Sequence, residues 1–182
     1  MHYLRHILRT LLLKVLSEDP RPRLRRLGAI IGNGVFIGEN VYIDEQFAQL
    51  LTIEDGAVIS TGTSILLHDS AYNNVCGAPI KVERVHISKN VYVGVNCTIL
   101  CGVTIGTETI VGAGSVVTRN IPSKCVAAGN PAKVYGKVSE FLCFYEQRSG
   151  WDILAWRERY NNMTSKQIKE AYKQIIKQKL SK

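Results

Sequence analysis

The sequence contains four histidines, and histidine is the side chain best suited to moving a proton near neutral pH. His2 and His6 stand near the start of the chain, and His86 comes directly before an isoleucine of a repeat described below. His68 lies in the stretch ILLHDSAY, where Asp69 follows it. A histidine can act as a general base that takes the proton of a hydroxyl as it attacks an activated carbonyl. Whether His68 can do so depends on the elements that hold it.

The acidic residue beside His68 has two interpretations. The carboxylate of Asp69 could orient the imidazole, as in a carboxylate–histidine pair. It could equally begin the turn of a loop, because aspartate side chains often bond to the backbone two residues further on. The residue pattern leaves both roles open.

An aliphatic residue recurs at every sixth position through the middle of the chain, a spacing that neither strand alternation nor a helical period produces. Two interruptions break the series, an insertion near residues 47–52 and a loop over residues 66–86. The repeated positions, called rungs here, are Ile31, Ile37, Ile43, Ile53, Ile59, Ile65, Ile87, Val93, Ile99, Ile105, Val111 and Val117.

The position three residues after each rung is Gly or Asn in nine of the twelve repeats. These positions are Gly34, Asn40, Gln46, Gly56, Gly62, His68, Asn90, Asn96, Gly102, Glu108, Gly114 and Asn120. Glycine, and less readily asparagine, tolerates positive φ, so the chain can turn sharply there. A short strand followed by a tight corner coils into a three-sided prism whose turns stack in parallel. The pattern predicts a mainly β protein, a left-handed parallel β-helix over residues 28–135, in which His68 is an unusual corner residue.

The segments that flank the β-helix are predicted to be helical. Residues 1–27 combine an amphipathic helix with a basic linker, and residues 136–182 form a helical tail expected to cap the open end of the prism. The predicted N-terminal helix has charged residues within its apolar stretch, so we expect neither a signal peptide nor a transmembrane span there. It is expected to pack on its own protein, and peripheral contact with the inner membrane face is the alternative.

Composition and charge narrow the class of partner. The 182 residues carry a net charge of +8, which favours anionic partners, but aromatic residues do not alternate with the basic ones, so nucleic-acid binding is not expected. Five cysteines occur at unrelated spacings without a CxxC pair. This usage favours reduced thiols and a cytoplasmic location.

The run VYVGVNCTILCGVTIGTETIVGAGSVVTRNIPSKCVAAGNPAKV, residues 91–134, resembles the hexapeptide-repeat acyltransferases. The likeness extends over about residues 40–135 and is strongest to the sugar O-acetyltransferases of the maltose, galactoside and polysaccharide-modifying type. It implies acetyl-CoA as acyl donor with no metal, assembly as a homotrimer, and active sites between neighbouring prisms. The implied activity is O-acetylation of a sugar or surface-polysaccharide hydroxyl by direct transfer.

The resemblance also implies roles for single residues. His68 matches the family's catalytic histidine, and Asp44 is nearest to a residue that binds the acceptor, although the maltose and galactoside branch has Asn there. Arg119 and Lys133 are suited to the phosphates of CoA. The full set of expected CoA contacts is Val95, Ala113, Gly114, Thr118, Arg119 and Lys133. On the loop, the residues that could touch the acceptor are Tyr72, Asn73 and Asn74.

Three other functions compete with sugar O-acetylation. An N-acyltransferase acting on an amino sugar or a nucleotide-linked amine would need a similar base, so the residues separate it poorly from O-transfer. A β-helix retained as a non-catalytic scaffold is a further alternative. A zinc enzyme of the β-helical carbonic anhydrase type is excluded, because three histidines must converge on the metal and only His68 and His86 lie within the repeat.

Overall fold

The computed structural model describes residues 19–142. The predicted N-terminal amphipathic helix and almost all of the predicted C-terminal tail lie outside these residues. The described strands are β1 (Ile30–Ile31), β2 (Phe36–Ile37), β3 (Tyr42–Ile43), β4 (Leu51–Ile53), β5 (Val58–Ile59), β6 (Ser64–Ile65), β7 (His68–Asp69), β8 (Lys81–Val82), β9 (Val85–Ile87), β10 (Tyr92–Val93), β11 (Thr98–Ile99), β12 (Thr104–Ile105), β13 (Ile110–Val111), β14 (Val116–Val117), β15 (Cys125–Ala128) and β16 (Lys133–Lys137).

The short strands form three sheets that run along a prism. The first sheet has the order β1-β4-β9-β12, the second β2-β5-β10-β13-β15-β16 and the third β3-β6-β11-β14. Neighbouring strands within each sheet are parallel, except that β16 returns antiparallel to β15. Each turn of the chain thus contributes one strand to every sheet, as the six-residue spacing predicts for a three-sided parallel β-helix.

The rungs point inward and form the core. Eleven of the twelve are buried, and Ile37, near the start of the prism, is half-buried. From Ile53 onward every rung is fully buried, with 0% of its surface exposed. A single coil cannot bury its aliphatic residues, so stacking of the coils provides the hydrophobic stabilisation.

Most of the corners adopt the predicted conformation. Positive φ occurs at nine of the twelve corner positions, and the exceptions are Gln46, His68 and Asn120. Glu108 adopts φ 56° although it is neither Gly nor Asn. Asn120 instead uses its side-chain oxygen to accept a hydrogen bond of 2.7 Å from the backbone N–H of Thr104. The other two exceptions, Gln46 and His68, lie where the regular coil is interrupted.

Both interruptions are displaced slightly from the sequence prediction. The insertion is a 3-10 helix over Glu45–Leu50, two residues earlier than the predicted 47–52. The loop contains β7, a helix α2 (Ala71–Cys76) and β8, and β7 pairs antiparallel with β8. It ends before β9, because His86 already pairs in register with Thr52 and Thr104. The predicted boundary at residue 86 was therefore two residues too late.

A short helix, α1 (Pro20–Arg26), leads into the first coil. Its Leu24 is buried with only 1% of its surface exposed and contributes to the apolar core. Asp19 caps the helix by accepting a hydrogen bond of 3.1 Å from the backbone N–H of Arg21. No helix among residues 19–142 has the length and apolar character needed to cross a membrane.

Two arginines of the basic linker have a structural role. Arg25 donates to the carbonyl oxygens of Ile31 and Gly32, at 2.8 and 3.1 Å from Nη2. Arg21 donates from Nη1 to the carbonyl oxygen of Val35 at 2.7 Å. Within residues 19–142 no strand precedes the first coil, and these guanidinium groups supply hydrogen bonds to its carbonyl oxygens. These two arginines of the basic linker are thus engaged by backbone carbonyls of the chain itself and not by an anionic partner.

The other end of the described prism is closed by the antiparallel pair β15–β16. The predicted β-helix boundary at residue 135 falls inside β16, which continues to Lys137. The pairing covers the edge of β15, which would otherwise present unpaired backbone groups.

Candidate active site

The third sheet brings distant parts of the sequence to one corner of the prism. The backbone N–H of Asp44 donates to the carbonyl of Ile65 at 3.2 Å, and that of Leu100 donates to Val117 at 3.0 Å in the same column of corners. The residues that follow β3, β6, β11 and β14 therefore stack along one edge. This edge, called the catalytic corner here, includes Asp44, His68 and Thr118.

His68 is held at the catalytic corner by Asp44. The imidazole Nδ1 forms a hydrogen bond with a carboxylate oxygen of Asp44. Asp44 is buried, with 4% of its surface exposed, whereas the side chain of His68 is 34% exposed. An ionised carboxylate can only accept, so this bond places a hydrogen on Nδ1, and in the neutral imidazole Nε2 then keeps the lone pair that a general base needs.

Asp69 does not orient His68. Its carboxylate accepts a hydrogen bond of 2.9 Å from the backbone N–H of Ala71 and so begins the turn into α2. His68 and Asp69 are consecutive residues of β7, and successive side chains of a strand point to opposite sides. This contact is the one expected of the loop turn, the second of the two interpretations of Asp69. The carboxylate that bonds to His68 is that of Asp44, for which the resemblance implies acceptor binding.

Phe47 completes the surroundings of the imidazole, and sequence reasoning missed it. Its ring centroid lies 5.3 Å from that of His68, with the two planes tilted by 50°. Phe47 belongs to the 3-10 insertion that begins directly after Asp44. The one signal in the sequence was the insertion itself, since an interruption of a regular repeat often carries function.

The loop residues expected to touch the acceptor differ in their surroundings. Tyr72 is 73% exposed on α2, and Asn74 is also exposed. Asn73 donates from Nδ2 to the carbonyl oxygen of Ala78 at 2.8 Å and thus stabilises the loop itself. Tyr72 and Asn74 therefore remain candidates for acceptor contact, whereas Asn73 already has a structural partner.

The other described histidine lies outside the catalytic corner. His86 points outward from β9 and its Nε2 lies 2.8 Å from Oε1 of Glu54. The second oxygen of Glu54 accepts from the backbone N–H of Lys89 at 2.8 Å. This pair links two coils and has no contact with Asp44 or His68. Among residues 19–142, no group of three or more His, Cys, Asp or Glu side chains is arranged to hold a metal ion.

The predicted CoA contacts fall at three places on the prism. Thr118 and Arg119 belong to the catalytic corner, two coils below His68. Val95, Ala113 and Gly114 lie at the corner between the second and third sheets, where Gly114 donates its N–H to the carbonyl of Val95 at 2.8 Å. The sixth residue, Lys133, begins β16.

The corner that holds Ala113 is built for close approach to its backbone. A Cβ placed on Gly94 would lie 2.6 Å from the backbone nitrogen of Ala113, so only glycine allows the two coils to stack there. Ala113 and Gly114 are exposed, and Val95 is 44% exposed. An extended ligand could therefore form hydrogen bonds with the backbone at this corner without obstruction by long side chains.

Arg119 and Lys133 are exposed cations. Within the part of the chain that the structure describes, neither forms an ion pair. Both remain able to bind phosphate groups.

Two cysteines near the corners are poor nucleophiles. Cys97 and Cys101 are buried, with 1% and 7% of their surface exposed. Burial raises the pKa of both thiols, because it disfavours the thiolate. A neutral thiol reacts slowly, so the arrangement does not favour an acyl-cysteine intermediate.

Alkylation can test this assignment. We expect iodoacetamide near pH 7.5 to modify the exposed Cys76 quickly in the folded protein and to leave Cys97 and Cys101 largely unmodified, with all three reacting in denaturant. Peptide mass spectrometry after timed quenching measures each site. Rapid modification of Cys97 or Cys101 in the folded protein would contradict the raised thiol pKa.

Two family models match the chain on either side of the loop. The model described as "Hexapeptide repeat of succinyl-transferase" matches residues 28–66. The model described as "Bacterial transferase hexapeptide (six repeats)" matches residues 84–119. Both segments consist of the stacked coils described above.

Curated relatives align over the same region. A Saccharomyces cerevisiae protein named as an acetyltransferase is 38% identical over 119 residues, which are 60% of this chain and 59% of the relative. Galactoside O-acetyltransferase of Escherichia coli is 33% identical over 119 residues, 60% of this chain and 57% of the relative. The chain thus spans less than two thirds of the length of either protein.

Solved structures agree with the coil architecture. A hexapeptide-repeat-containing acetyltransferase of Vibrio cholerae, crystallised with acetyl coenzyme A, is 28% identical with a TM-score of 0.54, covering 60% of each chain. The polySia-specific acetyltransferase NeuO is 29% identical with a TM-score of 0.52, covering 60% of this chain and 51% of its own. The repeat, the stacked parallel coils and the matches on both sides of the loop show a left-handed β-helix of hexapeptide repeats, and these coils are similar to those of the hexapeptide-repeat transferases.

Proposed function

We propose that this protein transfers an acetyl group from acetyl-CoA to a hydroxyl of a sugar or a surface polysaccharide. The observation that carries the proposal is the hydrogen bond between buried Asp44 and Nδ1 of His68, which leaves Nε2 of a half-exposed imidazole free to accept a proton. A scaffold has no need of a buried carboxylate aimed at an exposed histidine, since burying a charged group without a partner is costly.

His68 acts as general base in the proposed reaction. Nε2 takes the hydroxyl proton as the hydroxyl oxygen attacks the thioester carbonyl carbon. A C–O bond forms, the C–S bond breaks, and CoA leaves as a thiolate that takes up a proton, with the imidazolium as its source. Asp44 holds the ring and stabilises its positive charge while the proton resides there. The acyl group is already activated, so no covalent enzyme intermediate is required.

The arrangement of the predicted CoA contacts on the prism supports acetyl-CoA as the donor. The pantetheine arm would bond to backbone groups at the corner of Val95, Ala113 and Gly114. Arg119 and Lys133 would bind its phosphates. These residues lie at different corners from one another, which supports assembly as a homotrimer with each site between two prisms. The crystallisation of the Vibrio cholerae relative with acetyl coenzyme A supports the choice of donor.

The names of two relatives support a sugar acceptor. One is a galactoside O-acetyltransferase, and another is specific for polySia. The test is thiol release from acetyl-CoA against galactosides, sialic acid polymers, other hexoses and amino sugars. Products that hydroxylamine cleaves are esters, and resistant products are amides. Transfer to amines alone would establish the N-acyltransferase alternative, and absence of transfer with every acceptor class would favour the scaffold.

The role of Asp44 can be tested by substitution. We expect Asp44→Ala to lower kcat by about 100-fold, since the imidazole loses the bond that fixes its tautomer and its position. Asp44→Asn keeps an oxygen that can accept from Nδ1 and should retain more activity than the alanine variant. Steady-state kinetics at saturating acetyl-CoA measure both. Unchanged kcat in Asp44→Ala, with KM for the acceptor raised, would restore the acceptor-binding role instead.

A further inference from the structure

The insertion that breaks the repeat between β3 and β4 lies against the catalytic corner. Its 3-10 helix, Glu45–Leu50, contains one residue with non-helical backbone angles, Phe47, at φ −119° and ψ 24°. The backbone N–H of Phe47 donates to the carbonyl oxygen of Asp44 at 3.2 Å. The break at Phe47 coincides with the residue whose ring contacts His68. Asp44, the residue directly before the insertion, and Phe47 within it are therefore both neighbours of the imidazole.

We propose that this insertion is a positioning device for the general base, with Phe47 as a positioning residue that limits tilting of the His68 ring. The inference rests on the proposed function of His68. A regular hexad at this point would turn the corner directly, without the additional residues that contain Phe47. The extra residues interrupt the ladder between Ile43 and Ile53, and the segment they form touches the candidate base.

The insertion is itself fixed from two directions. Glu45 forms an ion pair with Arg23 of α1, which ties the start of the insertion to the helix above it. Ala48 is fully buried in the core, with 0% of its surface exposed. Phe47 lies between these two points of attachment and packs partly against the core. A ring held in this way can restrict a neighbour, which a freely moving surface side chain cannot do.

A second contact is needed because one hydrogen bond does not fix a ring. The Asp44 bond holds Nδ1 but permits the imidazole to tilt about that point, which would move the lone pair of Nε2. The tilted aromatic contact with Phe47 opposes that motion. Aromatic pairs contribute about 0.5–1.5 kcal/mol beyond their burial, so its loss corresponds to about a 2- to 12-fold change in rate.

The experiment compares three variants with the parent protein. Phe47→Leu removes the aromatic ring while keeping apolar bulk, and Phe47→Tyr keeps the ring. Phe36→Leu is the matched control, because Phe36 is an exposed phenylalanine on the outer face of β2, away from the catalytic corner. We expect Phe47→Leu to lower kcat by about 2- to 12-fold with KM for acetyl-CoA unchanged, Phe47→Tyr to restore most of the rate, and Phe36→Leu to match the parent.

Nuclear magnetic resonance of the His68 imidazole supplies a readout that does not depend on turnover. In Phe47→Leu, the ring protons should lose the shift caused by the neighbouring aromatic ring, while the nitrogen shifts still report hydrogen on Nδ1. A parent-like kcat in Phe47→Leu, unchanged ring-proton shifts, or an equal loss of rate in Phe36→Leu would each overturn the inference. If His68→Ala keeps the parent rate, the proposed function fails instead, and the proton shifts still decide whether Phe47 restrains the ring.

Discussion

Replacing His68 with alanine should reduce acetyl transfer by about 100- to 10,000-fold, the usual contribution of a positioned general base. The hydroxyl would then have to lose its proton to water during its attack on the thioester. Because the acetyl group and the donor site are unaffected, KM for acetyl-CoA should change little. Thiol release with an acceptor identified from the panel measures the effect.

A second histidine provides the control for this substitution. His86 is similarly exposed and also pairs with a carboxylate, but it lies on β9 and touches neither Asp44 nor Phe47. His86→Ala should therefore keep the parent rate within about 3-fold, as expected of a surface pair. Circular dichroism confirms folding of both variants. If His68→Ala turned over as fast as His86→Ala on a genuine acceptor, His68 would not be the base.

The fold was predictable from the sequence because one physical requirement recurs in every coil. Each coil needs an inward aliphatic residue and a corner with positive φ, and these requirements produce a six-residue sequence pattern. The pattern remains recognisable when single positions depart from it. Glu108 shows how much a strong pattern tolerates, since it adopts φ 56° without being Gly or Asn. The stacked neighbours above and below impose that conformation, so one unfavourable residue does not break the series.

The candidate site was predictable only in part, because its members come from different coils. His68 stood out since it occupies a corner where Gly or Asn is usual. Its hydrogen-bond partner could not be identified from neighbouring positions in the sequence. Asp69, the next residue, points away from the imidazole, and Asp44 lies one coil above. Pairing across coils depends on the lengths of the interruptions, and the sequence placed the insertion two residues late. Phe47 was missed for the same reason.

The central claim about the fold can be tested at a single rung. Ile99 is fully buried on β11, which lies between β6 and β14 in the third sheet. We expect Ile99→Ala to lower the free energy of unfolding by about 2–5 kcal/mol, because it removes buried methyl groups and leaves a cavity that stacked coils cannot easily close. Urea unfolding at fixed protein concentration measures the loss.

The neighbouring position on the same strand separates burial from strand propensity. Thr98 points outward and is half-buried, so Thr98→Ala should cost less than about 1 kcal/mol although the strand, the ladder and the corner are the same. The difference between the two losses in free energy of unfolding then measures the contribution of the inward-facing aliphatic side chain alone. Equal losses at Ile99 and Thr98 would mean that the six-residue period does not mark the core, and the corner that holds Asp44, Phe47 and His68 together would lose its structural basis.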